Sequence, residues 1–326
     1  IMQFAWGFGP PLVLEAAIRH RVFDVLDAGP KTIKEIEKET GASARGLTAI
    51  VNALVGLGFL EKSKEGRISL APESAKFLVS TKPGFLGGVI RHTSGQMIPL
   101  WLQLNEVVAT GAPQKGVNQQ AEGGEFFRNF VTGLFNMNYP AARVLAEHLP
   151  IDGPGSEVRV LDLAAGSGVW GIALAQRSER VRVTAVDWPQ VIPTTQEMAA
   201  KLGLASRFSF VPGDLLQAAF GSGYNVATLG HILHSEGQER SRSLLEKTFH
   251  ALAPGGTIAI GEFLVNTDRT GPLNGLLFAV NMLVATEKGD TYSFEEISGW
   301  LSDAGFVNMR TLDCPGPSPL ILATKP

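Results

Sequence analysis

Residues 161–176 read LDLAAGSGVWGIALAQ, an apolar strand end joined to a helix through a run of glycines. The segment before them, VRVLDL, is rich in the β-branched and apolar residues that suit a buried strand. It runs into Gly166-x-Gly168-x-x-Gly171, where glycines let the backbone turn tightly and approach a ligand without a Cβ. GVWGIALAQ then predicts a helix. Working outward, VRVTAVDW, RFSFVPGD, YNVATLGHIL and GTIAIGEFLV read as strands, with PTTQEMAAKLG and ERSRSLLEKTFHALA as intervening helices. Apolar strands alternating with helices predict an α/β fold, a parallel sheet covered on both faces. VNMRTLDC and SPLILATKP close the chain as an antiparallel C-terminal hairpin on the sheet edge.

At 326 residues the chain has room for two cores. Hydrophobic content of 44% and charged content of 18% are ordinary for a globular protein. A net charge of −3 gives no bulk attraction to nucleic acid or anionic membrane. The single cysteine, Cys314, excludes an intrachain disulfide and fits a reducing, cytoplasmic setting. The opening IMQFAWGFGPPLVL lacks a basic flank and is read as a packing arm. No apolar run approaches the length of about 20 residues that a membrane span needs.

Residues 1–104 predict an α-helical winged-helix domain. Leu14, Ile18, Val22 and Val25 recur at helical spacing until Gly29-Pro30. Thr32-x-x-Glu35 is a capping box, and Ser43 caps ARGLTAIVNALVGL. FLEK and RISL flank SKEG as a hairpin. The third helix offers Arg45 and Asn52 but is otherwise apolar, unlike a helix that reads bases. Its composition favours a homodimer surface over DNA. Residues 105–150 predict connecting helices, with Phe126, Phe127, Phe130, Leu134 and Met137 at helical spacing. Trp101, Phe130 and Met137 are candidates for a substrate-pocket wall. Residues 151–326 form the glycine-loop domain.

The glycine spacing alone does not name a ligand, because NAD, FAD and S-adenosylmethionine sites use related loops. The acids beside it discriminate. Asp162, Asp187 and Asp214 stand at three successive strand ends. An anion at Asp162 opposes a pyrophosphate and suits a ligand with an ammonium and a sulfonium. Asp187 is placed to accept from ribose hydroxyls, and Asp214 from an adenine amino group.

VLDLAAGSG, AVDWPQV, FVPGDLL, ILHSEGQERSRSLLEKTFHALAPGGTIAIGEF and DAGF together resemble the ordered motifs of class I S-adenosylmethionine-dependent methyltransferases. More narrowly they resemble the plant caffeate-type and bacterial small-molecule O-methyltransferases, whose Rossmann-like domain follows a winged-helix dimerisation domain. The resemblance implies that Asp162, Gly166 and Gly168 line the methionine portion of the cofactor. It places Asp187 at the ribose, Trp188 beside the adenine, and Asp214 with Leu215 at the adenine edge. Met282 falls where relatives place an acceptor-contacting methionine.

An attacking hydroxyl must lose its proton, and a histidine is suited to take it. His234 falls just after the fourth strand of the sheet and matches the family's general base. The family's His-Asp-Trp is here His234-Ser235-Glu236, and Thr291 stands where a second, histidine-orienting acid is usual. Asp290 and Glu262 are the candidate replacements. A metal held by His231, His234 and Glu236 is not expected. Open alternatives are C- or N-methylation on the same fold, a nicotinamide-dependent oxidoreductase, and a winged-helix regulator.

Overall fold

The computed structural model describes residues 1–113, 116–117 and 120–326, without the side chains of residues 3, 120–126, 128, 129 and 132. Phe126 therefore lies outside the described side chains. Two compact units result, Ile1–Pro99 and Leu100–Pro326.

The first unit contains α1 (Met2–Ala5), α2 (Gly9–Arg19), α3 (Val22–Leu26), α4 (Ile33–Thr40) and α5 (Ala44–Gly56). The hairpin β1 (Leu60–Lys62) and β2 (Ile68–Leu70), then α6 (Pro72–Phe77) and α7 (Gly87–His92), complete it. The run from Leu14 to Val25 is broken: Arg21, at φ 58, turns the chain between α2 and α3. The break brings Phe23 and Leu26, rather than Val25, into the core with Leu14, Ile18 and Val22. Both halves of the Thr32–Glu35 capping box form, and Ser43 accepts from the Gly46 amide. Met2, Phe4, Trp6 and Phe8 stay more than half exposed, an apolar face of the kind that marks an interaction surface.

The second unit follows α8 (Ile98–Trp101) with α9 (Leu104–Thr110) and the long α10 (Gln120–His148). Then come β3 (Val158–Leu163), α11 (Val169–Arg177), β4 (Val181–Asp187), α12 (Ile192–Lys201), β5 (Phe208–Pro212) and β6 (Tyr224–Gly230). α13 (Leu233–Ala251), β7 (Leu252–Gly261), α14 (Leu273–Ala285), α15 (Phe294–Asp303), β8 (Val307–Leu312) and β9 (Leu320–Thr324) finish it. The sheet order is β5-β4-β3-β6-β7-β9-β8, parallel except for β9 and β8. The C-terminal hairpin inserts β9 against β7 and leaves β8 at the edge. β3 neighbours both β4 and β6, so the strand order reverses beside it. Ligands of open α/β sheets bind at the carboxyl ends around such a point.

Two apolar clusters cover the faces of the sheet, one under α10 and α11 and one under α13 and α15. Gly171 makes the first possible: a Cβ there would lie 2.7 Å from Val183 Cγ1 and 3.0 Å from Asp162 Oδ2. Both neighbours are fixed in buried strands. Gly171→Ala is therefore expected to cost about 1–3 kcal/mol by overpacking, which lowers the melting temperature by a few degrees in calorimetry. Among the described residues no helix is long and apolar enough to cross a membrane.

Candidate active site

The glycine loop is built by the acids around it. Gly168 takes φ 75 as the N-cap of α11, a conformation that L side chains rarely adopt. Asp187, half-buried at the end of β4, accepts the Gly166 amide at Oδ2 and the Trp188 amide at Oδ1, each at 2.7 Å. Thr195 Oγ1 donates to the Gly166 carbonyl at 2.7 Å. Val131, on α10, lies against Gly166, and Phe127 meets Trp188 edge-on with centroids 5.8 Å apart. α10 thus lies over the loop, with Phe130 beside Phe127 at 6.2 Å.

Asp162 is fully buried. Its Oδ2 accepts from the Gly171 amide at 3.1 Å and its Oδ1 from the Thr228 hydroxyl at 2.7 Å. The carboxylate ties β3, β6 and α11 together beneath the turn. Burial pushes its pKa up to about 7, against the pull of the Thr228 and Gly171 hydrogen bonds. Burial likewise raises Asp187 to about 6, against its two amide donors.

Asp214 follows β5 and is tied down on both oxygens. Oδ1 accepts from the Leu216 amide at 2.9 Å, and Oδ2 from Arg240 Nη2 at 2.7 Å. Arg240 Nε donates in turn to Glu236 at 2.5 Å. Leu215 is buried beside it. Arg240, unmarked in the sequence, links the loop after β5 to the first turn of α13. Glu236 is thus committed to an arginine and not to the histidine pair.

His234 lies in that first turn, which a break at Gly237 (φ 75, ψ 164) separates from the rest of α13. Its Nδ1 stands 2.7 Å from Glu262 Oε2. The other oxygen, Oε1, accepts the Leu233 amide at 2.7 Å and the His234 amide at 3.3 Å. Burial raises the Glu262 pKa, but the His234 ring and its hydrogen bonds outweigh burial and leave the carboxyl below its ordinary value. An ionised carboxylate only accepts, so Nδ1 must donate and Nε2 keeps the lone pair. Of the two candidate acids, Glu262 is the one on the ring. Asp290 instead donates its amide to the His234 carbonyl at 2.9 Å and turns Oδ1 onto the Thr291 amide. Thr291 is buried.

Around His234 the walls are aromatic. Phe278, on α14, meets His234 edge-on at 4.9 Å and stacks on Phe263 at 3.8 Å. His231, at φ 61, packs against Phe263 at 5.2 Å, and burial lowers its pKa to about 4, so it is neutral. Trp101 donates to Asn281 on α14, next to the buried Met282. The sequence candidates therefore fall into two groups: Phe130 near the glycine loop, and Trp101 with Met282 around α14. Met137 lies two turns along α10 from Phe130, half-buried. Phe263 and Phe278 were not singled out from sequence, because a Phe in an apolar helix or strand end reads as core.

His231, His234 and Glu262 place potential metal-ligand atoms within 4.8 Å of one another. Glu262 already spends both oxygens on the His234 ring and two amides, so coordination would have to dismantle that arrangement. A cavity of about 260 Å³ lined by Arg159, Arg182 and Arg207 opens at the amino ends of the strands and contains none of these residues.

Acids at three strand ends around a glycine turn, and a histidine held by a carboxylate beside them, fit the pattern of an S-adenosylmethionine-dependent methyltransferase. The chain belongs to the O-methyltransferase family: the O-methyltransferase domain matches residues 102–307, and the O-methyltransferase dimerisation domain matches residues 2–80. It is 31% identical to 3-hydroxy-5-methyl-1-naphthoate 3-O-methyltransferase of Streptomyces sahachiroi, covering 100% of this chain and 94% of the relative. It is 30% identical to the tetracenomycin polyketide synthesis 8-O-methyl transferase TcmO of Streptomyces glaucescens, covering 100% and 96%. The solved structure of PigF with S-adenosylhomocysteine, a methyl transferase known from Serratia, shares the fold with a TM-score of 0.87. Its identity is 24%, over 99% of this chain and 98% of that one. The nicotinamide-dependent and DNA-regulator readings find no support in these comparisons.

Proposed function

We propose that this O-methyltransferase acts on a phenolic hydroxyl of a small aromatic or polyketide-like acceptor, and that it works as a homodimer through its N-terminal unit. The observation that carries the reading is His234, pinned by Glu262 with Nε2 left basic and flanked by the Phe278–Phe263 stack. S-adenosylmethionine, when bound, supplies an electrophilic methyl on a positively charged sulfur. Asp162, Gly166 and Gly168 hold its amino-acid end. Asp187, with two lone pairs beyond those given to Gly166 and Trp188, accepts from the ribose hydroxyls. Trp188 flanks the adenine, and Asp214 with Leu215 borders its edge. His234 Nε2 takes the acceptor's proton as the oxygen attacks in line. Because the leaving sulfur departs neutral, no acid is required. Trp101, Phe130, Met137 and Met282 form the acceptor wall, a thioether packing well on a flat ring. The exposed Phe4, Trp6 and Phe8 supply apolar surface for the partner protomer.

The test is incubation with S-adenosylmethionine and a panel of hydroxynaphthoates and simple phenols, with products located by NMR. A methyl on phenolic oxygen is the expected result; a methyl on carbon or nitrogen, or none at all, overturns the reading.

The raised carboxyls add a pH signature. Groups whose pKa lies above the unfolded value hold protons in the apoprotein, so their contribution to its stability is complete below about pH 4 and lost as pH rises through about 6–7. A cationic ligand favours their ionised forms. Cofactor binding at roughly pH 5–7 is therefore expected to release protons, with affinity rising over that interval and flattening above it. Calorimetry in two buffers of different ionisation heat checks this; identical apparent enthalpies would count against it.

A further inference from the structure

Asn281 is a buried amide in an otherwise apolar stretch of α14, only 8% exposed. Its Oδ1 accepts from Trp101 Nε1 at 2.8 Å. An indole N–H can only donate, so the atom it meets has to be the amide oxygen. The carboxamide orientation is thus settled by chemistry, and its NH2 group points the other way. Among the described residues no hydrogen-bond acceptor is recorded for that nitrogen. Asn281 lies one helical turn after Phe278, and residues three apart share a face. Phe278 is the ring that meets His234. The amide donor therefore stands on the helix face that carries Phe278, beside an aromatic surface.

We propose that Asn281 is a specificity residue whose NH2 donates to a carbonyl oxygen carried on the acceptor next to the hydroxyl that is methylated. The substrate class is then a hydroxyaryl ketone or a close equivalent, rather than a simple phenol. Trp101 is the positioning residue that keeps the donor side of the amide toward the acceptor. The assignment rests on the O-methylation reading above and names the acceptor's second oxygen.

The experiment compares 8-hydroxy-1-tetralone with tetrahydro-1-naphthol, the same skeleton without the ketone. Binding of each to the protein saturated with S-adenosylhomocysteine is measured by calorimetry, and methylation of each is measured separately. The wild type is expected to favour the ketone by about tenfold, the worth of one buried neutral hydrogen bond. Asn281→Asp keeps an acceptor for the indole but removes the donor, and Asn281→Leu removes both. Each variant is expected to bring the ratio to unity or below, with the ketone-free phenol bound within about threefold of wild type. Trp101→Phe, which frees the amide to rotate, is expected to give an intermediate ratio. A purely structural role would weaken both probes alike and leave the ratio unmoved. A ratio unchanged by these variants, or a wild type that binds the two probes equally or not at all, overturns the assignment. Discrimination in binding with no methylation of either probe instead overturns the O-methylation reading and leaves Asn281 as a carbonyl recogniser.

Discussion

His234→Ala is expected to lower kcat by about 10²–10⁴-fold, the usual contribution of a positioned general base. S-adenosylhomocysteine affinity should stay within about threefold, because no polar contact to the glycine loop runs through the imidazole. Glu262 is the reason: its carboxylate accepts the Nδ1 hydrogen bond and so leaves Nε2 with the ring's lone pair. Glu262→Gln tests the same claim from behind the ring. It keeps the volume but removes the charge that stabilises the imidazolium, and its turnover should fall between wild type and His234→Ala. Rapid-quench single-turnover assays separate this effect from product release. If His234→Ala turned over like wild type, the reaction would rest on proximity alone, and the base assignment would be wrong.

Asp187→Ala should produce the opposite pattern, a loss of cofactor rather than of chemistry. One carboxylate holds the Gly166 and Trp188 amides and, by the reading above, two ribose hydroxyls. Hydrogen bonds to a charged group contribute about 1.5–3 kcal/mol each. Losing two to the ligand predicts S-adenosylhomocysteine binding weaker by about 10²-fold or more, before counting the freed loop. Titration calorimetry reads this directly. Asp187→Asn is expected to fail as well, because the Gly166 and Trp188 amides reach different carboxylate oxygens, and the NH2 that replaces one of them cannot accept. A variant that bound the ligand normally would show that the acid shapes the turn without touching the cofactor.

Much of the fold was legible because it is written in local patterns. Strand and helix periodicity from Val158 to Gly261 points to the parallel sheet, and Thr32 and Ser43 mark helix starts through their own capping hydrogen bonds. The break at Arg21 was not legible, because an arginine in a left-handed turn carries no sequence mark. A histidine after the fourth strand of the sheet stands out in its motif, whereas the acid that meets its ring does not. Glu262 and Asp290 both lie within reach in sequence terms, and only the pairing of β6 with β7 puts Glu262 behind the ring. Arg240 escaped notice for the same reason: it meets Asp214 across 26 residues of chain. Asp162 reads as a ligand contact, yet its depth under the loop makes it first a brace for Gly171 and Thr228.

Glu262 also bears on how such an enzyme can diversify. A single side chain just after an interior strand clamps both the ring and the backbone of the turn that carries it, so the His234 ring is anchored directly to the sheet. Phe278, which meets the ring, belongs to a separate helix, α14. Exchanging the other residues of that helix, by evolution or by an engineer seeking new products, is expected to change which acceptors fit while leaving the Glu262–His234 contact in place.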